Sequence, residues 1–283
     1  MENSAQNPHF RLSVSVVLYN SSLALLQRVL HSVQSASLAA RADARVDSVL
    51  VVLIDNSSIG ESRSAVEKAV RDWPQDDFFE LSYHGMSENH GFGAGHNTVL
   101  AFLDSDFHLI LNPDAELAED ALLVGLATLQ EDSSIVLVSP RVSDDSGRQE
   151  FLCKRYPSVL VLVLRAFAPR FLRRVFRKRL YRYEMRDSCV QERESEVLLA
   201  SGCYMLVRTA ALRSVGGFDD DYFLYFEDFD LSLRIGGHGR LVFNPDMHIV
   251  HHGGYAARKG FRHVRYFIRS GITFFNQHGW RWI

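Results

Sequence analysis

Over its first 140 residues the chain alternates between short β-rich apolar runs and helical stretches, and this alternation limits its fold more than any other feature. Residues 12–18 are a β-rich run that ends at Tyr19-Asn20-Ser21. Ser21-Ser22 then offer side chains to cap a helix over 23–40. Residues 46–54 are almost continuously apolar, as a strand covered on both faces must be. They lead into Asp55-Asn56-Ser57-Ser58, where a helix running to Asp72 is expected to begin. A short strand over 79–83, a helix over 94–103 and a strand over 108–111 follow, the last ending in Asn112-Pro113-Asp114. A helix over 117–131 and a strand over 135–139 complete the series. Strands alternating with helices imply a mostly parallel sheet with helices on both faces.

Beyond Pro140 the pattern loosens. Helical periodicity covers 159–183, one or two strands surround Ala200-Ser201-Gly202, and a helix begins near Glu227 and runs to Ile235. Short strands over 240–243 and 248–250 precede an amphipathic helix over 262–277. Charge is uneven here. Residues 151–186 carry eleven Lys and Arg against the single acid Glu184, so a segment of net charge +10 rides on a body of −13. The segment points to an anionic partner, whereas the overall charge of −3 and the acidic body argue against nucleic acid. Its Phe167, Phe171, Leu172, Val175, Phe176 and Leu180 suit either a helix lying on an anionic leaflet or a solvated helix. Cys153, Cys189 and Cys203 have neither disulfide nor zinc spacing and read as small buried apolar residues of a reducing compartment. Residues 1–7 are polar without a basic start, and no apolar run approaches the roughly 18 residues a membrane span needs. A cytoplasmic protein is expected, and on the leaflet reading the basic segment is its contact to a membrane face.

In open α/β sheets, ligands bind outside the carboxyl ends of the strands. That rule selects Asp55, Asp114 and the loop Asn89-His90-Gly91-Phe92-Gly93-Ala94-Gly95-His96-Asn97. It sets aside Asp104-Ser105-Asp106, which precedes its strand. The glycine loop serves either close backbone approach to a ligand or a turn of positive φ. It lacks the full dinucleotide fingerprint and follows the third strand, which argues against a nicotinamide oxidoreductase. Asn112-Pro113-Asp114 offers an oxygen pair on a rigid turn, suited to a hard divalent cation or to a helix start. Glu227, Asp228 and Asp230 sit among aromatic residues. Crowding and burial there can raise a carboxyl pKa toward that of a general base, although acids also suit a helix N-terminus. His251 ends a late strand and is a candidate metal ligand.

In order, Val17-Leu18-Tyr19-Asn20, Ile54-Asp55-Asn56-Ser57-Ser58, Asn89-x-Gly91-Phe92-Gly93-x-Gly95-x-Asn97, Leu111-Asn112-Pro113-Asp114, Ala200-Ser201-Gly202, Val215-Gly216-Gly217-Phe218-Asp219, Tyr225-Phe226-Glu227-Asp228-x-Asp230-Leu231 and His251 resemble family 2 glycosyltransferases, most of all bacterial rhamnosyltransferase-type members. The resemblance implies a GT-A fold in one domain, 1–283. It has a nucleotide-sugar half over about 12–140 and an acceptor half over about 141–283, the latter carrying the Arg-rich helical insertion. It implies an inverting transfer from a nucleoside-diphosphate sugar, with dTDP-rhamnose favoured, to a glycan or lipid-linked acceptor, assisted by Mg²⁺ or Mn²⁺. By motif, Tyr19, Asn20, Asp55, Asn89, Gly91, Gly95, Asn97, Asn112, Asp114, Gly202 and Glu227 would form the nucleotide-sugar site. Asp114 and His251 would meet the metal, and Asp228 would be the catalytic base. Asn112 stands where many relatives carry Asp, so one negative charge is missing. A non-catalytic nucleotide-sugar-binding partner on the same fold is the competing reading, although such a protein needs no base.

Overall fold

The computed structural model describes residues 10–253 and 261–283, so the polar stretch over 1–7 and Gly254 lie outside the described residues. In chain order the first elements are β1 (Arg11–Leu18), α1 (Leu23–Ala42), β2 (Ser48–Asp55), α2 (Glu61–Arg71), β3 (Phe79–Gly85), α3 (Phe92–Asn97), β4 (Phe107–Leu111), β5 (Ala115–Leu117), α4 (Ala121–Glu131) and β6 (Ile135–Ser143). They are followed by β7 (Gln149–Glu150), α5 (Val159–Phe167), α6 (Arg170–Val175), α7 (Arg177–Tyr183), α8 (Arg186–Cys189), β8 (Ser195–Glu196), β9 (Tyr204–Arg208), α9 (Thr209–Ser214), α10 (Glu227–Ile235), β10 (Arg240–His251) and α11 (Phe261–His278).

Among the described residues the strands form one sheet in the order β3-β2-β1-β4-β9-β6-β10-β5, with β7 beside β6 and β8 beside β10. The β3–β2, β2–β1, β1–β4 and β6–β10 pairs are parallel, and β9 runs against both its neighbours. The register aligns Leu18 with Asp55, Asp55 with Gly85, and Val16 with Leu111, so these strands end along one edge. Side chains alternate across the pleat. Leu12, Val14, Val16 and Leu18 of β1 meet Leu26, Val29 and Leu30 of α1 and Leu122 and Leu126 of α4 on one face. On the other face Val17 meets Val99 and Leu103, while Ile110, Met205 and Val207 meet Leu212 of α9 and Leu231 and Ile235 of α10. A separate aromatic cluster joins Phe274 and Phe275 of α11 to Tyr222 and Phe226.

The second face also carries a buried polar ladder. Ser13 Oγ lies 2.7 Å from His108 Nδ1, Ser15 Oγ lies 2.8 Å from His108 Nε2, and the same Ser15 Oγ lies 2.7 Å from His96 Nδ1. Ser105 extends it from Ser13 to Thr209. Burial pulls His108 down to about 3, and burial together with His108 holds His96 well below its ordinary value. Both imidazoles are therefore neutral parts of the core.

Several boundaries differ from those read in the sequence. The expected helix over 159–183 is three short helices. Pro169 lacks an amide donor and holds Ala168 extended (ψ 135°), and a second break falls at Phe176. The two late strands are one, β10, with a register irregularity between Asn244 and His248. Leu117 lies in β5 and not in the following helix, which starts at Ala121. The helix after β2 starts only at Glu61, because Ser57 is engaged elsewhere: its N–H donates to Asp55 and its hydroxyl accepts from the Asn20 N–H. The helix α3 stops at Asn97 and gives way to tight i to i+3 turns, with the Asn97 amide spent on Phe218. The three cysteines are free and buried, as expected. Asp104 and Asp106 sit at the opposite end from the candidate site, tied to Arg11.

The histidine pair makes stability depend on pH. Because the folded pKa values lie below the unfolded value of about 6.5, stability is complete above that value and falls with pH below it. Between pH 7.5 and 5.5 His108 should remove about 1 kcal/mol from the unfolding free energy, and His96 adds a loss of the same sign. Urea unfolding at the two pH values checks this. His108→Gln should show a shallower loss than the wild type, and an identical loss would place the titrating groups elsewhere.

Candidate active site

The strand ends bring most of the singled-out residues to one edge. Asn20 takes a left-handed conformation (φ 50°) and donates its N–H to Ser57 Oγ at 2.8 Å, which stitches the β1 and β2 exits together. Asp55 is buried. Its Oδ1 accepts the Ser57 N–H at 2.8 Å and its Oδ2 accepts the Tyr83 hydroxyl at 3.0 Å. Its carboxylate thus holds the loop that a nucleotide would meet.

The glycine loop is a joint between the two halves of the chain. Asn89 Oδ1 accepts the Gly91 N–H, the Asn56 amide donates to the Gly91 carbonyl, and Phe92 N–H reaches the Phe223 carbonyl. Gly91 has φ +91°, and a Cβ there would lie 2.2 Å from the Phe223 carbonyl oxygen. Asn97 clamps Phe218 from both sides, accepting its N–H and donating to its carbonyl, each at 2.8 Å. Tyr19, Asn56, Asn89 and Gly91 line a slot of about 510 Å³ walled by Phe223 and Tyr266. Asn97 and Gly95 do not line that slot. Asn97 fixes Phe218, whose ring packs edge-on against Phe92 of the slot wall, and Gly95 packs against Val17 of the same wall. Asn56 was missed in the sequence because its amide acts on backbone 35 residues away.

Asn112-Pro113-Asp114 forms the turn between β4 and β5, fixed by the Asn112 N–H on the Cys203 carbonyl and the His252 N–H on the Asp114 carbonyl. Asp114 Oδ1 is buried without a hydrogen-bond partner and lies 3.5 Å from His251 Nε2. The other ring nitrogen, Nδ1, is 3.0 Å from Glu150 Oε2. Burial pulls the His251 pKa down, but the Asp114 carboxylate and Cys203 thiol outweigh it and hold it up at about 11. A Cβ on Gly253 would fall 2.3 Å from Asp114 Oδ2 and 2.8 Å from His251 Nε2, so glycine is what leaves these two atoms open to each other. An orphaned carboxylate oxygen beside an imidazole nitrogen fits a divalent cation, provided that the cation displaces the proton from His251 Nε2. Among the described residues no group of three or more His, Cys, Asp and Glu side chains gathers to hold one alone, so other positions would fall to water and ligand oxygens. Glu150 was not read from the sequence because it belongs to no motif and reaches His251 only through the β6–β7 turn.

The acidic group opens α10. Tyr225 and Phe226 both have positive φ (70° and 66°), a costly conformation for aromatic residues. Phe226 is held in it by packing against Phe229, Phe267 and Phe274. This turn delivers Glu227 and Asp228 to a cavity of about 610 Å³ that also meets Glu150, Lys154, Arg165 and Tyr183. Asp228 Oδ2 accepts the Gly202 N–H at 3.1 Å and Oδ1 accepts the Phe229 N–H at 2.9 Å, leaving a lone pair on each oxygen. Burial pushes Asp228 up to about 6 against those two donors. Glu227 is buried with Oε2 unpartnered, and burial together with Asp228 holds it well above the ordinary carboxyl value. Asp230 serves the structure: it pairs with Arg234 and His278 and ties α10 to α11. Lys154, counted in the sequence only as part of the basic segment, is buried in this cavity wall. Burial lowers it to about 8.

Residues 13–216 match the sequence model described as Glycosyl transferase family 2. The chain belongs to that family. Rhamnosyltransferase WbbL of Escherichia coli (strain K12) is 26% identical over 195 residues, covering 65% of this chain and 70% of WbbL. The N-acetylglucosaminyl-diphospho-decaprenol L-rhamnosyltransferase of Mycobacterium tuberculosis (strain ATCC 25618 / H37Rv) is 27% identical over 216 residues, covering 72% of this chain and 66% of that protein. The mannosyltransferase PcManGT of Pyrobaculum calidifontis, crystallised with GDP-Man and Mn²⁺, is similar in structure at a TM-score of 0.59 and 20% identity, over 93% of this chain and 61% of that one. At that identity the likeness shows the fold, which is GT-A. The family 2 chain is thus a glycosyltransferase similar to rhamnosyltransferases, with its glycine loop joined to the segment that precedes α10.

That joint yields a direct test. Gly91→Ala places a side chain in a backbone region reserved for glycine and against the Phe223 carbonyl. It should cost about 1–3 kcal/mol, read as a lower urea midpoint at unchanged slope. An unaltered midpoint would mean that the loop is not built on this contact.

Proposed function

We propose that the chain is an inverting rhamnosyltransferase that moves rhamnose from dTDP-rhamnose to a hydroxyl of a growing cell-surface glycan or lipid-linked saccharide. One observation carries this reading. Asp228, with one backbone N–H on each oxygen, faces a cavity whose wall reaches Asp114 through Glu150 and His251. The rhamnosyltransferase names of both curated relatives support the donor. The diphospho-decaprenol in one of those names supports a lipid-linked acceptor.

In this mechanism the acceptor hydroxyl enters the cavity beside Asp228. Its oxygen forms a bond to the anomeric carbon from the face opposite the diphosphate. The bond from that carbon to the diphosphate oxygen breaks, and its electron pair leaves with the diphosphate. Asp228 takes the hydroxyl proton on a free lone pair, as a carboxylate titrating near 6 is able to do at neutral pH. Burial and the neighbouring Asp228 push the Glu227 carboxyl well above its ordinary value, which disfavours a second negative charge where the proton must arrive. Tyr19, Asn89 and Gly91 line the nucleotide slot, while Asn20 and Asp55 brace its floor and Gly95 and Asn97 its wall. Gly202 aims Asp228 through its N–H, and Asn112 opens the turn that carries Asp114, anchored by its backbone N–H on the Cys203 carbonyl. Asp114 and His251 would hold Mg²⁺ or Mn²⁺, which when bound neutralises charge on the leaving diphosphate. Positioning of the two substrates supplies the rest.

Residues 12–140 form the donor half and 141–283 the acceptor half of one domain in this reading. The enzyme works on the cytoplasmic face of the inner membrane, held there by the basic segment. Among the described residues no helix is long and apolar enough to cross a membrane. Phe167, Phe171 and Val175 stand exposed on α5 and α6 between arginines, in keeping with a leaflet contact.

Two measurements test the proposal. Asp228→Asn should lower transfer about 10²–10⁴-fold while leaving donor binding intact, and wild-type kcat/KM should fall about tenfold per pH unit below about 6. A variant that turns over normally would remove Asp228 from the mechanism, and donor binding without turnover in the wild type would favour the non-catalytic partner. Second, a thermal-shift panel of dTDP-, UDP- and GDP-sugars with Mn²⁺ or EDTA should show one metal-dependent response. At about 100 times Kd it corresponds to about 2.7 kcal/mol, or roughly 2–4 °C. A response to UDP- or GDP-sugars alone would overturn dTDP-rhamnose as the donor.

A further inference from the structure

A second cavity, of about 650 Å³, lies beside the first on the acceptor side. Arg155, Lys178, Arg179, Arg182 and Arg281 line it, and no acidic side chain does. Tyr183, only 4% exposed, borders both cavities and forms part of the wall between them. The chain builds this pocket from distant segments. The Val159 N–H donates to the Arg281 carbonyl at 2.8 Å and the Leu160 N–H to the Trp282 carbonyl at 3.1 Å, which sets the 280–283 segment along the start of α5. Arg281 then lies over the Tyr156 ring at 4.3 Å. Arg155 is fixed by both oxygens of Asp187, at 2.9 and 3.0 Å. Among the described residues none of Lys178, Arg179, Arg182 and Arg281 is ion-paired.

This charge is unfavourable as it stands. Lys178 and Arg182 are four apart on α7, where like charges repel, and Arg179 adds to them. A multivalent anion relieves the repulsion, and guanidinium forks match phosphate oxygens. The surroundings say what the anion is attached to. Phe167 (65% exposed), Phe171 (66%) and Val175 (73%) stand on the neighbouring α5 and α6, and Trp282 (65%) stands on the terminal segment. A free phosphate has no use for exposed apolar side chains on the helices packed with α7, whereas a phosphate carried on an apolar chain does.

We propose that this pocket binds the diphosphate of a lipid-borne acceptor, and that the saccharide end passes Tyr183 into the cavity holding Asp228. The inference rests on the reading of the chain as a transferase acting on a lipid-linked saccharide, and it adds the site that takes the phosphates. The lipid chain lies along these exposed side chains of α5, α6 and the terminal segment, so the pocket sets which hydroxyl of the saccharide comes to Asp228.

The test uses the full chain and a triple variant, Lys178→Gln, Arg179→Gln and Arg182→Gln, whose side chains are exposed and unpaired. Flotation is measured with phosphatidylcholine vesicles containing a polyprenyl diphosphate, with vesicles of equal charge containing phosphatidylglycerol, and with inorganic pyrophosphate as competitor. The wild type should bind the diphosphate vesicles most tightly and be displaced by pyrophosphate. The triple variant should bind them more weakly by a factor on the order of a hundred, while its donor-induced thermal shift stays as in the wild type. Equal binding by variant and wild type would overturn the proposal. So would equal binding to phosphatidylglycerol vesicles without competition by pyrophosphate, which would reduce the pocket to general surface charge. Failure of the wild type to respond to any nucleotide sugar would instead count against the transferase reading, because the vesicle measurement needs no donor.

Discussion

Burial of β1 and β4 on both faces governs the rest of the molecule. Every residue of β4 is buried, and β1 is buried from Leu12 to Leu18. With no water available, their amides and carbonyls must find partners in neighbouring strands. Helices packed over both faces then allow parallel crossovers on this side of the sheet. Once β1, β2, β3 and β4 run the same way in register, Tyr19, Asp55, the glycine loop and Asp114 share an edge. The antiparallel β9 contributes its beginning to that edge, so Gly202 reaches it, and β10 contributes its end, so His251 does.

A shared edge alone would leave flexible loops. Cross-links between loops remove that freedom. Asn20, Ser57 and Asp55 form one chain of hydrogen bonds, and Asn97 closes on Phe218. Gly91 admits the Phe223 carbonyl, and Gly202 reaches Asp228. Two aromatic residues in left-handed conformations complete the turn before α10. Their strain is held by the Phe226, Phe267 and Phe274 cluster, which couples the position of Asp228 to the packing of α11. The acidic pair is presented by the tertiary structure and not by local preference alone.

Much of this was legible in residue order. Apart from β5, the strands of the first 140 residues, the helix from Glu227 and the silent place of Asp104 and Asp106 followed from periodicity and from the carboxyl-end rule. Legibility failed where a side chain acts at a distance or where local signals compete. Pro169 cut a helix whose apolar periodicity continued through it. Ser57 could cap a helix or tie a loop, and only the nearness of Asn20 decided. Glu150 and Lys154 carry no motif, because their importance comes from their places in space beside His251 and Asp228.

The sequence by itself determined the alternating architecture, the family and the residues at the strand ends, because strand period, turn chemistry and motif order are local properties. The tertiary structure alone decided which of those residues line a cavity and which brace one, since that depends on partners tens of residues away. It made Asn97 a clamp, kept Asp55 buried in its loop and left one oxygen of Asp114 without a partner. It also gathered Arg155, α7 and Arg281 into one cationic pocket, where linear charge density predicts only a basic stretch. Burial and charge act through space, and the chain order of these groups does not contain their distances.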